Sequence, residues 1–311
     1  MKQPILPGKF KARYASLLGE ENKIFLKYCK MPLRKSIRIN TIKANAKEVV
    51  SALKDKGWEL ERVPWFKYGY WVKNADKVAI GNSLEYFLGY IYPQEAASML
   101  PPIILNPKQE DFVLDMAAAP GSKTTQLAQM MDNKGCIVAN DKDTSRIKAL
   151  RFNLDVCGVV NTIVSRMDGI WFKELKERFD LVLLDAPCSG EGVIRKSWNV
   201  LSRWSVNMIN NLAGLQKGLI GAAIETLKPG GVLVYSTCTL APEENEGVID
   251  FALKKFDNIK VEKVSVEGLK WRNGIEEWEG KSFNSEVKKT MRIWPQDNDT
   301  QAFFIAKVRK L

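Results

Sequence analysis

A regular alternation of short apolar segments and amphipathic segments, beginning near residue 93, constrains the fold of this 311-residue chain most strongly. Predicted strands cover 111–116, 135–141, 161–168, 179–187 and 232–239, with late strands at 258–264 and 301–310. Predicted helices cover 121–131, 143–158, 203–227 and 242–256, the last with Pro242 in its first turn. Strands alternating with helices predict a parallel sheet that is covered on both faces. We therefore expect an α/β domain over residues 93–311.

Residues 1–92 form a different, strongly basic region. They carry 18 lysines and arginines against 8 acidic residues, and so hold nearly all of the net charge of +11. Helices are predicted at 11–30 and at 45–58, where Asn45 is a possible cap, and strands at 36–42, 58–66 and 68–73. This pattern predicts a small α+β module that binds nucleic acid. Ordinary lysine-rich solubilisation is the alternative.

Aromatic residues lie beside cations in the second half of this module. Such neighbours suit single-stranded RNA, because rings stack on bases and cations contact phosphates. Burial in the core of the module is the alternative for each ring. The residues concerned are Trp58, Trp65, Tyr68, Tyr70 and Trp71, among Arg62, Lys67 and Lys73.

Several classes of protein are disfavoured by what the chain lacks. No apolar run approaches the ~18–20 residues that span a bilayer, and MKQPILPGKF has no apolar signal region. The five cysteines form no Cys-x-x-Cys pair, and the chain has no histidine. We therefore expect a cytoplasmic protein without a metal, whose chemistry uses Cys, Asp, Glu, Lys or a cofactor.

Aspartates stand at or just after the ends of four predicted strands. They are Asp115, Asp141, Asp168 and Asp185. Ligands bind beyond the carboxyl ends of such strands, so these acids should line one rim. The first loop, DMAAAPGSKTT, has small residues that allow a ligand to approach, but it fits neither a Walker A loop nor G-x-G-x-x-G. An adenosine-bearing ligand without a phosphate chain, such as S-adenosylmethionine, fits this pattern.

Two cysteines, Cys188 in DAPC and Cys238 in STCT, follow neighbouring strand ends. Two thiols suit methylation of carbon 5 of cytosine: one adds to carbon 6, and a second group removes the proton from carbon 5 so that the first can leave. Cys238 directly precedes a predicted helix, whose N-terminus would favour a thiolate. Asp185 could hydrogen-bond the pyrimidine edge, and could be partly protonated if its site is dry. The spacing leaves open which thiol attacks. Cys29, Cys136 and Cys157 are expected to be core residues.

The motifs DMAAAPGSKTT, AND at 139–141, MDG at 167–169, LLDAPCSGEGVIRK and VYSTCTLAPEENE occur in order. Together with RINT, YPQEAAS and DTQAFFIAKV they resemble the RNA cytosine-C5 methyltransferase family, which includes bacterial ribosomal enzymes, eukaryotic Nop2/Sun proteins and archaeal tRNA enzymes. The resemblance covers roughly residues 36–310. It implies a Rossmann-like S-adenosylmethionine-dependent methyltransferase sheet.

The resemblance also implies the roles of individual residues. Cys238 corresponds to the nucleophile, Cys188 to the residue needed for product release, Asp185 to a contact of cytosine and cofactor, and Lys123 to a positioning residue. The cofactor contacts that it implies are Ala117, Ala118, Ala119, Pro120, Gly121, Ser122, Lys123, Asp141, Arg146, Asp168 and Asp185. Ala117 and Ser122 replace the Cys and Gly of many members, which are small changes.

The expected function is methylation of tRNA by a monomer, in the manner of the archaeal tRNA enzymes. Ribosomal RNA is the close alternative, and a catalytically idle RNA-binding factor is a third reading, which the intact cysteines oppose. A P-loop ATPase is excluded by the loop spacing. The short first part leaves no room for an added RNA-binding domain, so substrate selection is expected to use the basic module. The cations expected to grip RNA are Lys23, Lys27, Lys30, Arg34 and Lys35.

Overall fold

The computed structural model describes residues 6–311, which form an N-terminal module and a larger α/β domain. The predictions that concern residues 1–5, including part of the argument against a secretory signal, lie outside this range. Within residues 6–311 no helix is both long and apolar enough to cross a membrane. The division at residue 92 remains a prediction drawn from charge and pattern.

The N-terminal module contains four helices and a four-stranded antiparallel sheet. Its sheet has the order β2-β3-β1-β4. The elements are α1 (Gly8–Leu18), α2 (Asn22–Lys30), β1 (Ser36–Ile39), α3 (Ala46–Asp55), β2 (Leu60–Arg62), β3 (Gly69–Val72), α4 (Leu84–Phe87) and β4 (Ile91–Pro93).

Two local predictions in this module had different outcomes. Asn45 caps α3 as predicted, since its side chain accepts a hydrogen bond from the Lys47 N–H at 2.9 Å. The single helix predicted over 11–30 is wrong, because two helices are separated by a 3₁₀ turn at 19–21. Gly19 at the break has φ +55°, a conformation that no helix continues through.

The larger domain is built on a nine-stranded mixed sheet. Its elements are α5 (Leu100–Leu105), β5 (Phe112–Asp115), α6 (Ser122–Met130), β6 (Cys136–Asn140), α7 (Thr144–Cys157), β7 (Thr162–Ser165), β8 (Phe179–Asp185), α8 (Val200–Arg203), α9 (Val206–Thr226), β9 (Leu227–Thr237), α10 (Glu246–Lys255), β10 (Ile259–Glu262), β11 (Arg272–Asn273), β12 (Glu277–Trp278), β13 (Lys281–Ser282), β14 (Met291–Ile293), α11 (Pro295–Asn298) and β15 (Phe303–Lys310). β12 and β13 form a separate two-stranded hairpin.

The order of the main sheet is β11-β14-β15-β9-β8-β5-β6-β7, and β10 also pairs with β15. The five strands from β9 to β7 run parallel, which confirms the predicted α/β class. The late strands are present but antiparallel, because β15 returns beside β9 and then pairs with β14 and β10. The sheet is therefore mixed rather than wholly parallel.

Helices cover both faces of this sheet, as predicted. Alternate side chains of a strand point to opposite faces, and here both sets are apolar. On one face Val113, Leu183 and Val234 belong to a buried cluster with α5 and α6. On the other face Leu114 and Leu184 belong to a cluster with α9 and α10. Because both faces are apolar, the sheet is buried between two layers of helices. The carboxyl ends of its strands are left accessible for a site.

Candidate active site

A cavity of about 250 Å³ lies at the carboxyl ends of β5, β6, β8 and β9, next to the loop that follows β7. From β5 the chain adds β6 and β7 on one side of the sheet and β8 and β9 on the other. The cavity therefore lies at the predicted switch point, between β5 and β8. It brings together the predicted residues Ala117, Ala119, Asp141, Arg146, Asp168, Asp185, Cys188 and Cys238. The other predicted cofactor contacts do not line it; they are Ala118, Pro120, Gly121, Ser122 and Lys123.

Asp115 does not face the cavity as the strand-end pattern predicted. Its side chain is fully buried and accepts a hydrogen bond from Thr124 Oγ1 at 2.7 Å. Burial raises the pKa of Asp115 to about 7. Asp115 therefore supports the start of α6 through Thr124. The cavity is lined instead by Asp141, Asp168 and Asp185.

The loop at 117–121 is held by the strand beside it. The Ala118 N–H donates to the carbonyl of Asn140 at 2.7 Å, and the Asn140 amide donates to the carbonyls of Met116 and Met167 at 3.1 and 2.9 Å. Gly121 has φ +105°, and a Cβ there would lie 3.0 Å from Leu150. Asn140 thus ties three strand ends together, a role that its sequence position did not reveal.

The Asp141 carboxylate has one oxygen that no hydrogen bond uses. Oδ1 accepts from the Asp143 N–H at 3.0 Å, whereas Oδ2 is buried without a hydrogen-bond partner in the described part of the chain. The Arg146 guanidinium lies 3.3 Å from Oδ2, close enough for an ion pair but without hydrogen-bond alignment. A buried free acceptor on a cavity wall suits a ligand hydroxyl, as on a ribose.

Asp185 sits between the cofactor side of the cavity and the cysteines. Its carboxylate accepts from Lys123 Nζ at 2.6 Å and from Ser236 Oγ at 2.7 Å. Lys123 is buried and also donates to Ser98 Oγ at 3.0 Å. The Lys123 ammonium and the Asp185 carboxylate thus form an ion pair at the wall of the cavity.

The two predicted cysteines are in contact. Their sulfur atoms are 3.2 Å apart, and both thiols are free and half-buried. The hydrogen bond with Cys238, together with burial, raises the pKa of Cys188 well above its ordinary value. Cys188 therefore keeps its proton and can donate it toward the sulfur of Cys238. Cys29 and Cys157 are buried as predicted, whereas Cys136 is only half-buried, at the start of β6.

The expected help from a helix N-terminus at Cys238 is not provided as predicted. α10 begins at Glu246 rather than Pro242, and residues 241–245 form turns. The turn points the side chain of Glu244 into the protein, where it takes part in the hydrogen bonding behind the cysteines. The PEENE segment thus supplies a buried acid instead of a helix start.

Glu244 joins the loops that carry the two cysteines. It is fully buried and accepts from the Ser189 N–H and Gln216 Nε2, both at 2.9 Å, and from the hydroxyls of Ser189 and Thr239. Ser189 follows Cys188 and Thr239 follows Cys238. Burial raises the pKa of Glu244 to about 7. The only sequence signal for this residue was its place in a run of acids after STCT.

The N-terminal helices pack against the loop that follows Cys188. Tyr14 of α1 donates to Glu191, which also accepts from Trp204 Nε1 at 2.6 Å. Arg195 donates to the carbonyl of Pro32 at 2.8 Å and to Asp299 Oδ1 at 2.6 Å. The loop after Cys188 is therefore clamped between the first helices and the turn before β15.

The predicted RNA-contacting side chains of the module are placed differently from one another. Trp58, Trp65 and Trp71 are buried, so the core alternative is correct for these three rings. Arg34 stacks on Trp71 at 4.0 Å and pairs with Glu61 at 3.2 Å, so it is engaged within the protein. The other predicted cations are exposed: Lys23, Lys27, Lys30, Lys35, Arg62, Lys67 and Lys73.

Two family models match successive parts of the chain. The family model for the 16S rRNA methyltransferase RsmB/F matches residues 102–309, and that for the N-terminal domain of 16S rRNA methyltransferase RsmF matches residues 6–96. The chain thus belongs to the RsmB/F family, and the resemblance to RNA cytosine-C5 methyltransferases is confirmed. It is an RNA methyltransferase.

Relatives agree over nearly the whole chain. The tRNA (cytosine(49)-C(5))-methyltransferase of Pyrococcus abyssi is 52% identical over 303 residues, covering 97% of this chain and 96% of the relative. The ribosomal RNA small subunit methyltransferase F of Vibrio atlanticus is 45% identical over 92% of this chain, which spans only 60% of that enzyme. The crystal structure of NSun6 from Pyrococcus horikoshii with SFG is 28% identical, with TM-score 0.86 and 98% of each chain covered.

Proposed function

We propose that this protein methylates carbon 5 of cytosine in tRNA, with S-adenosylmethionine as methyl donor and a covalent bond between Cys238 and carbon 6 of the base. The observation that carries the proposal is the pair of free thiols in contact beside Asp185, on the wall of the cavity. The 52% identity to an archaeal tRNA methyltransferase, with nearly complete coverage of both chains, supports tRNA as substrate. Action in the cytoplasm, as a monomer and without a metal, is part of the proposal.

The cavity suits the proposed cofactor. The free oxygen of Asp141 can accept from a ribose hydroxyl, and Asp168 lies on the same wall. Met116, Leu215 and Leu219 add apolar surface, and small residues at 117–119 let a ligand approach the backbone. When bound, S-adenosylmethionine supplies an activated methyl group that carbon 5 of the base accepts.

Cys238 and Asp185 have different roles toward the base. The Cys238 thiolate adds to carbon 6, which places an electron pair at carbon 5 and makes that carbon nucleophilic. Asp185, which Lys123 holds in place, accepts a hydrogen bond from the exocyclic amino group of cytosine. A target base within folded RNA is flipped into this position.

Cys188 acts in the second half of the reaction. Its pKa is raised first by the hydrogen bond with Cys238, and alkylation of Cys238 removes that partner. Cys188 then releases its own proton to solvent more readily, and the resulting thiolate accepts the proton of carbon 5. The electron pair of that bond restores the ring double bond, and Cys238 leaves carbon 6 as a thiolate.

A pair of variants tests these roles. Incubated with S-adenosylmethionine and labelled tRNA transcripts, Cys188→Ala should accumulate an adduct that survives a denaturing gel, because release is blocked. Cys238→Ala should form none. Cys136→Ala is a matched control, since this half-buried cysteine lies outside the cavity, and it should turn over normally. Exchanged behaviour of the two site variants would show that the roles are reversed.

Ribosomal RNA is the second candidate substrate. The 45% identity to a small-subunit rRNA methyltransferase favours it. Bisulfite sequencing of tRNA and rRNA from a deletion strain separates the two, because the lost 5-methylcytosine identifies the substrate. If neither RNA loses a methyl group, and the purified protein transfers none, an idle RNA-binding factor becomes the better account.

A further inference from the structure

A second cleft, of about 760 Å³, lies in the N-terminal module and shares no lining residue with the active-site cavity. We call it the module cleft. Its wall includes four cations, two tyrosines and no acidic residue; the residues that matter here are Lys47, Lys54, Arg62, Lys67, Tyr68 and Tyr70. A cavity with this lining attracts anions.

The cations come from three places: α3 carries Lys47 and Lys54, β2 ends at Arg62, and Lys67 lies in the turn between β2 and β3. Lys47, Ser51 and Lys54 line it from α3, and their spacing of four, three and seven residues puts them on one stripe of that helix. Lys47 and Lys54 are two turns apart, about 10 Å along the axis. The acidic residues of α3, Glu48 and Asp55, do not line the cleft. The helix therefore presents a purely basic face to it.

None of these four cations has an acidic partner within 4.0 Å among residues 6–311. Neighbouring cations of the same module do, since Arg34 and Lys73 both pair with Glu61. All four cations of the cleft are exposed. The charges of these four cations are therefore not neutralised by acidic residues of the described part of the chain, and they can pair with the anionic groups of a bound partner.

The tyrosines supply the surface for a base. Tyr70, on β3, is half-buried, and its hydroxyl makes no hydrogen bond with the described residues. Tyr68 is also half-buried, and Lys67 Nζ lies 4.7 Å from the centre of its ring. Half-exposed rings beside cations are the arrangement that stacks bases and contacts phosphates in single-stranded RNA.

The module cleft lies on the side of the amino end of β5, whereas the active-site cavity lies at the carboxyl ends of the strands. A neighbouring cleft shares Thr41, Lys67 and Tyr68 with it and reaches 106–109, just before β5 begins. The catalytic cavity lies beyond the other end of β5 and of β8, which has seven residues and is therefore about 23 Å long. An RNA that fills both sites must extend across this distance.

We propose that the module cleft binds an unpaired stretch of the substrate RNA, with bases stacked on Tyr68 and Tyr70 and phosphates on Lys47, Lys54, Arg62 and Lys67. The proposal rests on the proposed function only in that the substrate is RNA. The module cleft would be an RNA-binding site separate from the active-site cavity and from the exposed lysines of α2. The test therefore measures binding in the absence of S-adenosylmethionine, so that it does not depend on methyl transfer.

The test uses tRNA transcripts and the full chain. Lys47→Ala/Lys54→Ala should lower the slope of log Kd against log salt by about 1.4–1.8, as loss of two phosphate contacts requires. Alanine favours helix, so α3 should persist. The control Lys260→Ala/Lys288→Ala removes two exposed lysines elsewhere and should leave the slope unchanged.

Tyr70 separates stacking from charge. Tyr70→Leu should raise Kd roughly 5- to 100-fold through loss of stacking, while Tyr70→Phe should bind like the natural protein because the ring remains. If both tyrosine variants bind alike and the α3 variant keeps the full salt slope, the cleft does not hold RNA, and an acidic protein segment becomes its better occupant. If Kd responds as expected but no RNA is methylated, RNA binding by the cleft is supported and the proposed function is contradicted.

Discussion

Glu244 offers a test of how the catalytic loops are held, because two features of its surroundings favour opposite charge states. Its oxygens accept four hydrogen bonds, an arrangement that suits a carboxylate. Its complete burial favours the neutral acid and raises the pKa to about 7 from the ordinary value of 4.5. A neutral mimic can decide between them.

Glu244→Gln is such a mimic. Its amide oxygen can accept from the Ser189 N–H and from Gln216, while its NH₂ can donate to the hydroxyls of Ser189 and Thr239, which also accept. The substitution therefore keeps the shape and the hydrogen bonds of the protonated acid. It removes only the ability to ionise.

The expected magnitude follows from the pKa difference. An acid with a raised folded-state pKa binds more protons folded than unfolded, so its stabilising effect is complete below 4.5 and is lost as pH rises toward 7. Between pH 5 and pH 8 the natural protein should lose about 2.5 kcal/mol through this residue, whereas Glu244→Gln should not. The variant should thus gain about 2.5 kcal/mol relative to the natural protein over this interval.

Urea unfolding of both proteins at pH 5, 6, 7 and 8 measures this difference directly. The contributions of other buried acids, such as Asp115, to the pH dependence of unfolding cancel in this comparison, because both proteins contain them. A stability difference that stays constant with pH, or a variant several kcal/mol less stable at pH 8, would refute the reasoning. The four donors would then be holding Glu244 as a carboxylate.

Two further predictions concern the cofactor site and the core. Asp141→Asn should weaken S-adenosylmethionine binding about 10- to 100-fold in calorimetry, because the buried free oxygen loses its charge; unchanged affinity would remove Asp141 from the site. Arg292→Ala should cost about 3–5 kcal/mol in urea unfolding, since Arg292 and Glu246 form an ion pair with side chains 3% and 0% exposed. Lys254→Ala, which removes an exposed lysine from its pair with Asp250, should cost no more than about 1 kcal/mol.

Periodicity predicted the parallel half of the sheet because each of those strands is apolar on both faces. The same reasoning could not reveal that β15 returns antiparallel beside β9, since its pattern is equally apolar. The start of α10 was misplaced because Pro242 and the acids after it are typical of a first helical turn. Here hydrogen bonds to Glu244 outweigh that local preference.

In the site, the residues named by motif were brought together where they end strands, as with Asp141, Asp185 and Cys238. The supporting residues were not predictable, because their partners are remote in sequence: Asn140 contacts the chain 24 and 27 residues away, and Gln216 contacts Glu244. The buried tryptophans show the same limit, since exposure depends on packing that no single segment specifies.

The clamp on the loop after Cys188 has a consequence for how such enzymes can be recombined. Arg195 is buried with hydrogen bonds to the carbonyls of Met31 and Pro32, and Tyr14 bonds to Glu191. A fragment beginning at residue 93 would leave the guanidinium without two of its acceptors and Glu191 without one of its donors, Tyr14. Grafting a foreign N-terminal module to change the substrate would therefore require exchanging residues 191–195 with it. The first helices and the loop after Cys188 therefore have to be exchanged together.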